Sequence, residues 1–281
     1  MKRHWIVCLL LTVWGAGAFA QNNSIVHRTF RGLRVINGHS VETLYEGELE
    51  FLIEHRFGRI NGGLYELFGL DQATMRMGLD YGITNRLNVG VGRSTYGKHL
   101  DAYVKYKLAG QTIDDRIPVT LTLVSTVAAN MLRPVDPERP MPVQSRLAYT
   151  HQVLLARKWS DRFSTQLMPT FVHYNLVDTR DEHNDVFAMG FAARVQLTKN
   201  LAITGEYYYK LPGQLAADKF DPIGIGFDIN TGSHVFQLHF TNAQSMIEKA
   251  FIGETRGDWL AGDIQFGFNM SRLFKLKGRR Y

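Results

Sequence analysis

The sequence predicts an all-β protein, a transmembrane antiparallel up-and-down β-barrel of about twelve strands. Three observations predict it. From Glu48 onward apolar and polar residues alternate in run after run, and a period of two sends the two sets to opposite faces of a strand. The joins between runs are alternately short and long, as in outer-membrane barrels. The N-terminus reads Met1-Lys2-Arg3-His4, then an uncharged run from Trp5 to Phe19, then Ala18-Phe19-Ala20 before Gln21, which describes a secretory signal peptide. No other stretch approaches the length of a membrane-spanning helix. The mean hydropathy of -0.16 fits such a barrel, because a lipid-facing wall and a polar interior average out.

The strands are expected in the following order. Glu48 to Phe57 sets Leu49, Phe51, Ile53 and Phe57 against Glu48, Glu50, Leu52, Glu54 and Arg56, whereas a helix would mix Glu50 and Glu54 with Phe51. Thr74 to Tyr81 alternates Met75, Met77, Leu79 and Tyr81 with Arg76, Gly78 and Asp80. Leu87, Val89 and Val91 face away from Asn88, Gly90 and Gly92. Leu100 to Leu108 puts Val104 and Tyr106 opposite Asp101, Tyr103, Lys105 and Lys107. Val119 to Ala129 and Arg146 to Lys158 follow, the latter with Leu147, Tyr149, Val153 and Leu155 on one face. Phe163 to Tyr174 contains Pro169, which cannot donate to a ladder and predicts a bulge or a break. Phe187 to Leu197, Leu201 to Lys210, Pro222 to Asn230, His234 to Asn242 and Gly262 to Leu276 complete the set.

If the first strand rises from the periplasm, short turns fall at Gly82 to Arg86, Ala109 to Pro118, Ser160 to Arg162, Thr198 to Asn200 and Thr231 to Ser233. Long loops fall at Gly58 to Ala73, Asn130 to Ser145, Asn175 to Val186, Leu211 to Asp221 and Ala243 to Ala261, with only the join near Tyr96 short. The expected organisation is a signal peptide over 1–20, a periplasmic or plug segment over 21–47, and the barrel over 48–281.

The single cysteine, Cys8, lies in the signal segment. The mature chain therefore has no disulfide, no thiolate metal site and no cysteine nucleophile. Removing Lys2 and Arg3 leaves 30 basic against 26 acidic residues, a surplus too small to argue for nucleic acid. The expected partners are outer-membrane lipid and lipopolysaccharide together with small solutes.

One face of the strands is apolar, with Trp159, Trp259, Tyr207 and Tyr209 near strand ends as candidate interfacial aromatics. The other face carries charge: Glu48, Glu50, Glu54, Asp80, Asp101, Glu206 and Asp228 against Arg56, Arg76, Lys105, Lys107, Arg146, Lys158, Arg194 and Lys210. A strongly selective pore concentrates one sign at its constriction, and this near balance argues against one. The groups either form cross-strand ion pairs or line a permeable path.

Catalysis finds little support. There is no G-x-S-x-G elbow, and nothing selects one of His151, His173, His234 and His239 as a base. The Asp178-Thr179-Arg180-Asp181-Glu182-His183-Asn184-Asp185 stretch lacks calcium-loop spacing and reads as a solvated outer loop. Pro134, Pro137, Pro140 and Pro142 stiffen another. No cofactor or metal site is expected.

The stretch Phe30-Arg31-Gly32, Ile36-Asn37-Gly38-His39-Ser40-Val41-Glu42, Glu54-His55-Arg56-Phe57-Gly58-Arg59-Ile60-Asn61-Gly62-Gly63, Tyr65-Glu66-Leu67-Phe68-Gly69-Leu70-Asp71 and Tyr81-Gly82-Ile83-Thr84-Asn85-Arg86-Leu87 resembles an uncharacterised family of Gram-negative outer-membrane β-barrel proteins. The resemblance covers nearly all of the mature chain and implies fold and location, with no activity to carry over. Asn61-Gly62-Gly63 tolerates positive φ and lets an outer loop fold back. The segment bearing Arg31, Arg34 and His39 is expected to tuck into the barrel mouth. Three functions follow: a narrow channel or solute-handling pore, a non-conducting barrel acting through its outer loops, and a barrel hydrolase. An open lumen favours the first, a plugged one the second, and a serine and histidine converging on one face the third.

Overall fold

The computed structural model describes residues 25–133, 138, 142–232 and 234–276. The expected signal peptide with Cys8, and the loop residues Pro134, Pro137, Pro140 and Ser233, lie outside them.

Twelve antiparallel strands close into one barrel in chain order. They are β1 (Glu48–Arg59), β2 (Ala73–Gly82), β3 (Leu87–Ser94), β4 (His99–Ala109), β5 (Thr120–Asn130), β6 (Leu147–Lys158), β7 (Phe163–Tyr174), β8 (Asp185–Gln196), β9 (Leu201–Lys210), β10 (Ile223–Asn230), β11 (His234–Thr241) and β12 (Gln265–Lys275). Closure comes from β12 returning to β1, with Ile53 opposite Met270 and Glu54 opposite Asn269, so neither strand keeps a free edge. The alternation of burial, unbroken along β1 and β9 and holding through most of β2, β5 and β8, follows the sequence parity, and a one-residue slip would turn charges to the outside.

Glycine on the inner face makes room for neighbouring long side chains. A Cβ on Gly92 would sit 2.2 Å from the Arg76 guanidinium, and one on Gly90 would sit 2.2 Å from Asp80 and from Tyr103. At Pro169 the β7–β8 ladder is intact, but β6 and β7 lose pairing between Gln152↔Thr170 and Leu155↔Leu167 while keeping register. The proline therefore produces a break and no bulge, as expected for a missing donor.

Seven strand starts differ from expectation by one to three residues, and two of them have a visible local cause. β6 begins at Leu147 because Gln144–Arg146 forms a 3-10 turn. β12 begins at Gln265, since Asp263 N–H turns back to the Asp258 carbonyl through Gly262, whose φ is 80°. In the β1–β2 loop, Gly63 has the expected positive φ of 62°, but Gly62 does not, and Leu67 and Phe68 are left-handed instead. The short β3–β4 join near Tyr96 is the single turn Tyr96–Lys98.

The Ala243 to Ala261 connection is not a solvated loop. It carries a short helix, α1 (Glu248–Gly253), every residue of which is buried. The reason is compositional: Met246, Ile247, Ala250, Phe251 and Ile252 supply an apolar face that the barrel interior covers. No helix among the described residues is long and apolar enough to cross a membrane.

Candidate functional site: an occupied polar lumen

The chain before β1 is a hairpin inside the barrel. Its two ends stand at the end of the barrel where β4 joins β5: Val26 N–H donates to the Gln111 carbonyl at 2.8 Å, and Thr43 Oγ1 to the Asn85 carbonyl at 3.2 Å. Between them Arg34 and His39 form an antiparallel bridge, and Val35 N–H closes onto the Gly38 carbonyl at 2.8 Å. Phe30, Leu33, Val35, Ile36 and Val41 are all buried.

Wall side chains take the place of strand partners for this hairpin. The Glu206 carboxylate accepts the N–H groups of Ile36 (3.2 Å), Asn37 (2.8 Å) and Gly38 (3.1 Å). Gln166 accepts from Val41 N–H at 2.8 Å and donates to the His39 carbonyl at 2.7 Å, a two-point grip on the peptide groups either side of Ser40. Gln237 donates to the Val35 carbonyl at 2.9 Å, Asn269 to that of Ile36 at 2.9 Å and Thr122 to that of Val41 at 3.1 Å. The Arg56 guanidinium reaches Asn37 Oδ1 at 2.5 Å and also touches the His239 ring. Gly38 has to be glycine here, because a Cβ would lie 2.1 Å from the Tyr208 hydroxyl. Satisfying backbone groups this way keeps the hairpin from carrying buried orphan donors.

The hairpin meets α1 in the lumen. Arg34 forms a fully buried ion pair with Glu248, and His39 Nε2 lies 3.1 Å from the same carboxylate, poorly aimed for a hydrogen bond. Burial, with the Arg34 guanidinium adding to it, holds the His39 ring down to about 3, against the pull of Glu248. Burial works to raise Glu248, but Arg34 and His39 overcome it and hold the carboxyl well below its usual range. On the other flank α1 is fastened by Tyr174 Oη donating to the Lys249 carbonyl at 2.5 Å and by Phe251 packing edge-on to Tyr208.

Of the charged residues assigned to the lumen face, Glu48, Glu50, Glu54, Arg56, Arg76, Asp80, Asp101, Lys105, Arg194, Glu206, Lys210 and Asp228 are buried on the inner face. Lys107 is half-buried at the rim of the vestibule described below. Arg146 does not belong to this set: it sits in the 3-10 turn ahead of β6 and donates to the Leu132 carbonyl at 2.8 Å, capping an outer loop. Lys158 pairs with Asp161 at the turn below β6.

Arg76 is the hub of the wall network. It pairs with Glu54 and, in a fork, with both Asp101 oxygens at 2.9 and 2.5 Å. Replacing Arg76 by Met leaves two buried carboxylates without their cation, a loss of about 3–5 kcal/mol. The temperature at which the folded barrel loses its fast migration in a denaturing gel is expected to fall markedly. An unchanged transition would show that the network does not hold the wall.

Vestibules lie on either side of the hairpin and α1. One, of about 340 Å³, is lined by Arg28, Arg31, Glu42, Glu48, Glu50 and Lys107 at the hairpin's entry side. The other, of about 230 Å³, is lined by Arg59, Tyr96, Gln244, Glu254, Arg256 and Gln265 above α1. They share no lining residue, and the hairpin and α1 fill the space between them.

The remaining histidines resolve individually. His239 is the inward partner of Arg56. His173 Nδ1 sits 2.6 Å from Asp185, and His234 stacks on Phe236. His151 Nδ1 lies 2.7 Å from Ser125 Oγ on the outer face, so a serine and a histidine do converge there. No described carboxylate orients that ring, as the nearby Asp185 is committed to His173, and no acyl-transfer triad is assembled. In the Asp178 to Asp185 loop, Lys219 neutralises Glu182 at 2.6 Å and Asp178 at 3.7 Å. No group of three or more His, Cys, Asp or Glu among the described residues is placed to hold a metal ion.

A closed twelve-stranded barrel, apolar outside and charged within, with an internal hairpin and an inward-folded helix, defines a membrane-spanning barrel with an occupied lumen. The chain belongs to the membrane bound beta barrel domain family (DUF5777), whose model matches residues 30–274. It is similar in fold to an outer membrane channel of the COG4313 group from Pseudomonas putida F1, at 13% identity and a TM-score of 0.51 over 83% of this chain and 98% of that one. Weaker likenesses are to the NanC porin, at 8% identity and a TM-score of 0.48 over 82% and 100% of the two chains. The Acinetobacter baumannii outer membrane protein Omp33 follows at 12% and 0.42 over 82% and 99%. At these identities the likeness shows the fold alone. No curated protein matches the chain significantly.

Proposed function

We propose that this protein is an outer-membrane channel for small polar solutes whose path is closed by the internal hairpin and α1 and opens when the hairpin withdraws. One observation carries the reading: the hairpin is held by wall side chains bonding its backbone, and by one buried ion pair, instead of being continuous with the wall. Its chain connection to the barrel is the short Leu44 to Gly47 segment, so it can leave as a unit without breaking any pairing among the twelve strands, giving up only the single Ile25–Thr112 bridge. Withdrawal leaves an interior walled by seven buried acids and five buried bases, suited to polar solutes with a modest preference for cations.

Acid favours opening. His39 is held neutral in the closed form, down to about 3, and recovers the ordinary value of about 6.5 once in water, so release takes up a proton as pH falls through that window. At pH 5 this linkage is worth about 2 kcal/mol toward release. Glu248, held low in the closed form, adds in the same direction below its ordinary value. Uptake of a small sugar into proteoliposomes is expected to be slow at pH 7.5 and several-fold faster at pH 5. Uptake that is absent at both values contradicts a gated channel.

The occupied lumen favours one second reading, a permanently closed barrel that acts through its outer loops. It predicts no flux at any pH and a surface-binding phenotype lost when 131–145 are removed.

A further inference from the structure

The lipid-facing wall carries a groove of about 650 Å³ that the lumen does not use. It crosses β4 to β8, from Phe187 and Leu211 near the rim to Val104 and Tyr106 farther down, with Leu123, Val153, Pro169 and Met189 between. Its floor lies where β6 and β7 lose pairing beside Pro169. Midway along it stands the Ser125–His151 pair, hydrogen-bonded at 2.7 Å, with the His151 ring stacked on Phe171.

Polar groups on a lipid-exposed face are costly unless satisfied. The pair satisfies one atom of each residue, and His151 Nε2 makes no hydrogen bond among the described residues. His151 lies one outward position below Tyr149, about 5 Å deeper for a strand tilted by about 40°. An ester carbonyl at the head of an acyl chain is the acceptor that a lipid lying along the groove can bring to that free nitrogen. The face is covered by lipid in any membrane-spanning barrel, so the groove's occupant is a lipid.

We propose that this groove is a specific binding site for one ester-linked acyl chain of a membrane lipid, its carbonyl oxygen accepting a hydrogen bond from His151 Nε2. Ser125 fixes the ring by bonding Nδ1, and the donor at Nε2 is then the tautomer with Ser125 donating to Nδ1. The chain runs along Val153, Pro169 and Leu123, filling the depression left by the interrupted ladder.

The test is native mass spectrometry of the full-length barrel equilibrated with phosphatidylethanolamine in mild detergent. The wild type is expected to retain one intact lipid. His151→Phe removes the donor and Val153→Trp fills the groove while leaving the Ser125–His151 pair alone, and each is expected to lower the retained fraction roughly tenfold. Ile225→Trp, on the lipid-facing side of β10, is expected to retain lipid as the wild type does. Retention unchanged in both groove variants, whose folding is checked by gel migration, overturns the proposal. Recovery of free fatty acid and lysolipid in place of the intact lipid also overturns it, because the pair would then cleave the ester it is assigned to bind.

Discussion

Removing residues 21–42, with residues 1–20, the expected signal peptide, joined directly to Thr43, converts a barrel that is silent in a planar bilayer at neutral pH into one that passes steady current. The hairpin contributes no strand to the wall, and the ladder from β1 to β12 is complete without it. Its loss frees Glu206, Gln166, Gln237 and Asn269 to bind water, and the lumen floods from the side where Arg28 and Lys107 now line a closed vestibule. α1 remains, fastened by Tyr174 and Phe251, so the opened path is narrow, and deleting 243–256 as well widens it further. A shortened barrel that shows the folded gel migration and passes no current would mean that the hairpin is not what closes the lumen.

Glu206→Ala is expected to unlatch the hairpin without deleting anything. The carboxylate accepts three consecutive N–H groups at the tip, and its loss leaves all three facing a methyl group. Hydrogen bonds to a charged group are worth about 1.5–3 kcal/mol each and are not additive, so a combined loss of about 4 kcal/mol moves the docked-to-released ratio by about three powers of ten. Flux at neutral pH should approach that of the shortened barrel, while the wall keeps its melting behaviour because Glu206 takes no part in the Arg76 network. Glu206→Gln retains one acceptor oxygen and is expected to fall between the two. Wild-type flux in Glu206→Ala would show that the other grips suffice.

The wall was legible in the sequence because period-two alternation is a local signal. Leu49 against Glu50, or Phe191 against Ala192, assigns a face with no knowledge of the partner strand. The same parity identified twelve of the inward charges and failed at Arg146, where the alternation runs on past the strand into a turn. What fills the lumen was less legible, because it depends on contacts between residues far apart in the chain. Arg34 finds Glu248, and Ile36, Asn37 and Gly38 find Glu206, across separations no periodicity spans. Charge alone found Glu206 but missed the neutral grips, Gln166, Gln237 and Asn269. They sit at inward parity, and asking which inward residues can bond a peptide unit would have found them. For α1 the overlooked signal was the apolar cluster from Met246 to Ile252 inside a connection expected to be solvated.

The most direct measurement is thiol labelling of the hairpin together with solute flux. Ser40 is fully buried, its hydroxyl bonds the Gly32 carbonyl at 2.6 Å, and the sequence has no cysteine beyond Cys8, so Ser40→Cys places one thiol at the heart of the plug. A membrane-impermeant maleimide is expected to leave that thiol untouched in the closed barrel at pH 7.5. In the Glu206→Ala background it should label rapidly, and labelling should rise in step with solute uptake. Uptake that rises while the thiol stays protected, or labelling that proceeds with no uptake, would contradict a lumen gated by this hairpin.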